Sequence, residues 1–113
     1  MTIHPTAVVD STAQIDPSVQ IGPYCVIGPR VEIGAGSELV HHVSVPSDTT
    51  IGTENILHPF AVVGGEPQDR KYDGEQTTCV IGNGNEIREH VTIHRGTANG
   101  GGMTSIGDGN LLM

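Results

Sequence analysis

"VQIGPYCVIGPRVEIGAGSELV", residues 19–40, repeats one pattern every six positions. Ile21, Ile27, Ile33 and Leu39 lie six apart, and Cys25, Val31 and Ser37 each stand four residues after one of these aliphatics. Counting outward, Ile3, Val9 and Ile15 precede the stretch in phase, and Val45, Ile51, Leu57 and Val63 follow it. The column breaks at Asp69 and Glu75, then resumes in the same register at Ile81, Ile87 and Ile93. The companion column of mostly small residues runs Ala7, Ala13, Val19, Cys25, Val31, Ser37, Val43, Thr49, Asn55 and Ala61, then Cys79, Asn85, Val91 and Thr97.

A period of six fits neither the 3.6-residue helix nor simple strand alternation, whereas hexapeptide repeats are a sign of a parallel β-helix. Each hexad then supplies a short strand and a corner, with its aliphatic residue pointing into a narrow prism. Gly22, Gly28, Gly34, Gly52, Gly64, Gly82 and Gly107 directly follow the aliphatic column. They are expected at tight corners, where a side chain would be strained. Parallel backbone hydrogen bonds join coils stacked about 4.8 Å apart. Cys25 and Cys79 are ordinary members of the small column and read as structural filler. Two cysteines are too few for a disulfide framework, and they lack the clustered spacing of a zinc site.

At 113 residues the chain is read as one domain, 1–113. Its 5 Lys+Arg against 13 Asp+Glu argue against a nucleic-acid or anionic-membrane surface, because the average field repels phosphate. Arg70, Lys71, Arg88 and Arg95 nevertheless fall in one quarter of the chain, which leaves room for a local anion-binding patch. The opening "MTIHPTAVVDS" has neither a cationic nor an apolar leader region, and no stretch approaches the roughly 20 apolar residues of a membrane span. A cytoplasmic location is expected.

Two interruptions of the repeat are the places where chemistry would sit. The first is the polar insert at 66–78, "EPQDRKYDGEQTT", read as an active-site loop thrown out from a rigid stack. The preserved register requires that a multiple of six residues leave the stack there, or none. The second is "NGGGMTS", residues 99–105, after which Ile106 is out of phase by one. Its triple glycine is weak evidence for a phosphate cradle, since no Walker-type lysine follows.

Histidines 4, 41, 42, 58, 90 and 94 raise the question of a metal. Zinc needs three or four ligands around one point. If nothing loops out between Val63 and Ile81, His58 and His94 share a face about 9.6 Å apart, two coils at the parallel spacing, which is too far to share an ion. If twelve residues loop out, they fall on different faces. No intrachain site results either way, and only an interface between subunits would assemble one.

The hexads, "QDRKYDGE", "IREHVTIHRGT", "GGGMTSIG" and "DGNLLM", in that order, resemble the N-terminal part of the bacterial UDP-N-acetylglucosamine O-acyltransferases. The resemblance covers essentially the whole chain, and the loop motif with "VTIHRGT" makes it more specific than hexads alone. It implies a left-handed β-helix, whereas chain chirality in general favours right-handed crossovers. It also implies a homotrimer with active sites in the clefts between subunits. The implied reaction moves a 3-hydroxyacyl group from acyl carrier protein to the 3-hydroxyl of UDP-N-acetylglucosamine, the first step of lipid A synthesis, with no metal or cofactor.

Carried over by motif, Gln68 and Asp69 are expected to bind sugar hydroxyls, and Lys71 to favour the anionic parts of the ligands. His94 matches a supporting active-site histidine. The catalytic base is expected beyond Met113, in the coil after "NLLM". Leu112 opens a hexad that stops after two residues without a polar cap, so the chain is read as C-terminally truncated and inactive alone. Arg70 stands where many relatives have leucine. Two alternatives stay open: a carbonic anhydrase-like metalloenzyme using interface histidines on the same scaffold, and a non-enzymatic repeat scaffold.

Overall fold

The computed structural model describes all 113 residues. It consists of sixteen strands of two to four residues and one short 3₁₀ turn, Ala98–Gly100, and it is a left-handed parallel β-helix. The first face stacks Thr2–Ile3, Gln20–Ile21, Glu38–Leu39, Ile56–Leu57, Glu86–Ile87 and Leu111–Leu112. Val8–Val9, Val26–Ile27, Ser44–Val45, Val62–Gly65 and Thr92–His94 form the second face. The third carries Gln14–Ile15, Glu32–Ile33, Thr49–Ile51, Thr78–Ile81 and Met103–Ile106. Every strand pairs in parallel with those one coil away, so that Ile3 lies beside Ile21, Val9 beside Ile27 and Ile15 beside Ile33.

The repeat dictates this arrangement through burial. Ile27, Leu39, Ile51, Leu57, Ile81 and Ile87 are all at most 1% exposed and fill the prism, with Val19, Val31, Val43 and both cysteines from the companion column beside them. Burial raises the Cys25 thiol pKa and pushes that of Cys79 up to about 11, so both stay protonated filler at neutral pH. Ile3, in the first coil, has a stacked neighbour on one side only and is 37% exposed.

Three polar members of the small column, Ser37, Asn55 and Asn85, form an internal ladder. Ser37 Oγ donates to the Gly52 carbonyl at 2.8 Å, and Asn55 Nδ2 donates to Gly82 at 2.8 Å. Asn55 Oδ1 accepts from the Asn85 N–H, and Asn85 Nδ2 donates to Gly107, each at 2.8 Å. Each amide thereby ties its own coil to the next, which is why asparagine is tolerated in an aliphatic interior.

Two expectations need correction. Apart from Gly64, the glycines after the aliphatic column do not have the left-handed φ of the corners. Those corners belong to residues two positions further on, where Tyr24, Arg30, His42, Asp48, Glu54, Phe60 and His90 have φ between 50° and 69°. Gly22 and Gly28 lack a positive φ. They are glycine because a Cβ there would collide with the carbonyls of Val40 and Pro46 in the next coil. Thr97, in turn, leaves the small column. It caps the 3₁₀ turn by accepting the Gly100 N–H at 3.1 Å, and Thr104 takes its place beside Cys79.

Both interruptions return to register. Ile51 pairs with Ile81, thirty positions on where a coil needs eighteen, so the first excursion removes twelve residues. Ile81 pairs with Ile106, twenty-five positions on, so the second removes seven. Seven exceeds the six-residue period by one, which is why Ile106 falls out of phase by one.

At one left-handed corner, Arg30 reaches across a coil to Asp48 with Nε–Oδ1 at 2.7 Å and Nη2–Oδ2 at 3.0 Å. The Arg30 hydrogen bond holds the Asp48 carboxyl below its ordinary pKa.

Two outcomes are expected. Gly28→Ala lowers stability by about 1–3 kcal/mol, the overpacking range, although its backbone conformation suits alanine. A melting temperature equal to wild type would remove the inter-coil clearance argument. Asp48→Asn costs at most about 1 kcal/mol at pH 7, because the pair sits at a partly solvated corner. Since the native carboxyl titrates below the unfolded value near 4, its contribution is full above that value and lost as pH falls through the native one. Denaturation of both proteins across pH 2–6 checks that their stabilities converge at the acid end.

Candidate functional site

The first excursion begins at a β-bulge. Val62 and Val63 pair with Thr92 and Ile93, but His94 pairs with Gly65, leaving Gly64 as the extra residue. Here a glycine is required by conformation, with φ of 89°, and by space, since a Cβ would strike Thr49 Oγ1. The bulge turns three successive carbonyls toward the neighbouring strand, where two consecutive residues receive them. Arg95 Nη1 donates to Gly64 at 2.8 Å, the Arg95 backbone N–H donates to Gly65 at 2.8 Å, and His94 Nδ1 lies 2.7 Å from the Glu66 carbonyl.

A carbonyl only accepts, so His94 Nδ1 carries the proton. In the neutral ring Nε2 is then an acceptor. It is buried, and no protein group reaches it.

Beyond Glu66 the chain is built around Tyr72. Its hydroxyl donates to the Glu75 carbonyl at 3.0 Å and accepts from Arg95 Nη2 at 3.2 Å, while its N–H donates to the Asp69 carbonyl at 3.0 Å. Asp69 Oδ1 accepts the Lys71 N–H at 2.9 Å, a local Asx-type turn. This leaves Oδ2 without a protein partner.

Gln68, Asp69 and His94 come together along one groove of about 670 Å³, floored by Val91, Ile93 and Ile106. Lys71 does not line that groove. It is exposed and borders a small recess with Tyr72 and Asn99, which shares Asp69 and Thr97 with the groove. Arg70 is exposed.

The expected cluster of four cations is dispersed by the fold. Arg88 is engaged by Glu89 at 3.0 Å and Glu86 at 3.3 Å, and Arg95 is spent on carbonyls and a tyrosine. Only Arg70 and Lys71 remain unpaired on the excursion.

His58 and His94 lie on different faces, as twelve looped-out residues require. No group of three or more His, Cys, Asp or Glu side chains has the geometry to hold a metal. His42 and His90 stack with Tyr24 and Phe60 in a ladder at a different corner, with ring centroids 5.0 to 5.3 Å apart. His58 Nε2 pairs with Glu86 at 2.8 Å. Arg95 and Tyr72 were missed as site residues in the sequence. The available signal was an arginine directly after His94 facing a loop that carries a single aromatic.

A prism of hexapeptide coils with a polar groove at a looped-out corner defines a class before it defines a member. Residues 1–100 match the family model described as GMPPB C-terminal domain, and the chain belongs to that family. Over its whole length it is also similar to solved UDP-N-acetylglucosamine O-acyltransferases. LpxA from Acinetobacter baumannii is 52% identical with a TM-score of 0.96, over 98% of this chain and 43% of that one. The O-acyltransferase (LpxA) from Moraxella catarrhalis RH4 is 52% identical with a TM-score of 0.98, over 100% and 44%. The Francisella novicida UDP-N-acetylglucosamine acyltransferase is 44% identical with a TM-score of 0.97, over 99% and 41%. The chain thus spans less than half the length of these relatives. No helix is long and apolar enough to cross a membrane.

The tautomer is directly measurable. Long-range ¹⁵N correlation spectra at neutral pH are expected to show His94 protonated at Nδ1 when uncharged. An Nε2–H pattern would break the link to Glu66.

Proposed function

We propose that this chain forms the substrate-positioning coils of an acyltransferase that moves a 3-hydroxyacyl group from acyl carrier protein to the 3-hydroxyl of UDP-N-acetylglucosamine, the opening step of lipid A synthesis. The observation that carries the reading is the convergence of Gln68, Asp69 and His94 on one groove, in a chain 52% identical to solved enzymes of that name. On this reading the unpartnered Asp69 Oδ2 and the Gln68 amide take sugar hydroxyls, and Lys71 draws in the anionic part of the nucleotide from the loop's outer side. The protein works as a cytoplasmic homotrimer, with its grooves completed between subunits.

The chemistry is attack of an alcohol on a thioester. It needs a base to take the hydroxyl proton and a fixed donor for the developing oxyanion. His94 is a supporting group in this scheme: the Glu66 carbonyl fixes its ring, and Nε2 is the atom left to meet water or substrate. The base comes from residues beyond these 113, in the part of the relatives' length that this chain does not span.

Three measurements test this. In the enzyme with all its coils, Asp69→Ala is expected to lower kcat/KM for UDP-N-acetylglucosamine at least tenfold while stability stays within about 0.5 kcal/mol, as for a surface substitution. His94→Ala weakens transfer without abolishing it. The 113-residue chain alone shows no transfer above background. Turnover by this chain that vanishes with His94→Ala would make His94 the base and overturn the assignment.

A further inference from the structure

The excursion that carries Gln68 and Asp69 has little apolar anchorage of its own. Among residues 66 to 77 only Pro67 and Thr77 are buried. Its fixed shape must come from polar contacts, and these converge on one side chain. Arg95 Nη1 holds the Gly64 carbonyl at the bulge where the excursion leaves the stack, and Nη2 holds the Tyr72 hydroxyl six residues into it. Tyr72 in turn fixes Asp69 through its own N–H and closes the turn on Glu75.

We infer that Arg95 is a positioning residue, a latch whose guanidinium spans from Gly64 to Tyr72 and thereby sets Asp69 beside the groove. The planar fork is what the task requires. Two donors about 2.3 Å apart on one rigid group reach two oxygens from different chain segments, whereas the point charge of lysine orients neither. Arg95 is also the residue after His94, whose Nδ1 takes the Glu66 carbonyl. The strand that bears the candidate active-site histidine therefore also dictates where the sugar-binding loop lies. That Asp69 meets a substrate rests on the proposed function. The latch does not.

The test measures amide hydrogen exchange over residues 68–75 and UDP-N-acetylglucosamine affinity on the same protein samples. Tyr72→Phe removes one hydroxyl and keeps the ring. Arg95→Lys keeps the charge and loses the fork. Each is expected to speed exchange at the Lys71 and Tyr72 amides at least about tenfold: both lose the bond between the Arg95 guanidinium and the Tyr72 hydroxyl, and Tyr72→Phe also loses the hydroxyl's bond to Glu75. The double variant should exchange more slowly than the product of the two single effects, since the Arg95–Tyr72 bond is lost in both. Exchange unchanged in Tyr72→Phe, which is the milder variant and decides alone if Arg95→Lys unfolds, overturns the latch. Faster exchange with unaltered nucleotide-sugar affinity leaves the latch standing and removes this loop from the substrate site.

Discussion

Parallel backbone pairing at a fixed eighteen-residue register is the constraint on which the rest of this structure depends. With strands only two to four residues long, no strand is stable by itself, and each is held because its neighbours one coil away present the same atoms at the same height. Every position in a hexad therefore faces its own kind along the axis, and the sequence is selected column by column. The inward column must be aliphatic. Where the position after it presses on the next coil's carbonyl, it is glycine, as at Gly22 and Gly28. Where a buried column position turns polar, its amide must bond vertically, which the Asn55 and Asn85 rungs do.

The same constraint governs where variation is allowed. A segment that leaves the stack must return in phase, but its own residues are released from the hexad pattern and can take on chemistry. Twelve residues do so after Gly65 and seven after His94, and both departures border the same groove. Departure itself needs a device. The Gly64 bulge rotates the chain out of the sheet, and the exposed carbonyls would be left unsatisfied if the neighbouring strand did not receive them.

The columns and the first excursion were legible because each is a repeated or interrupted period, and a period shows in one sequence. The twelve-residue count was legible only as one of the multiples of six that the register allows, fixed by which face Ile81 occupies. Gln68, Asp69 and His94 were reachable through their motifs, and the fold brings them to one groove, with Lys71 to one side. What stayed hidden depends on distances between columns. At Gly22 and Gly28 the need for glycine turns on clearance from the next coil and not on φ, so composition alone suggested the wrong cause there. Thr97 had the right phase but lay in the second excursion, where phase has no meaning. The four clustered cations looked like a patch because sequence proximity says nothing about partners. Glu86 and Glu89 engage Arg88, and the chain's own carbonyls and Tyr72 engage Arg95.

The geometry also bears on what His94 can do. Its Nδ1–H is held by the Glu66 carbonyl, so the ring presents a single free lone pair, at Nε2. Acting as a base would load a proton onto Nε2 and make the ring a double donor. The Glu66 carbonyl keeps the Nδ1 proton in place in either state and so fixes the direction of Nε2, which no protein atom reaches. Accepting a hydrogen bond from a hydroxyl or a water demands no such change of state, and neither does orienting the loop through Glu66. The residue presents Nε2 in a fixed direction from a rigid strand. Together with Arg95, it ties the shape of the excursion to the register of the stack beneath it.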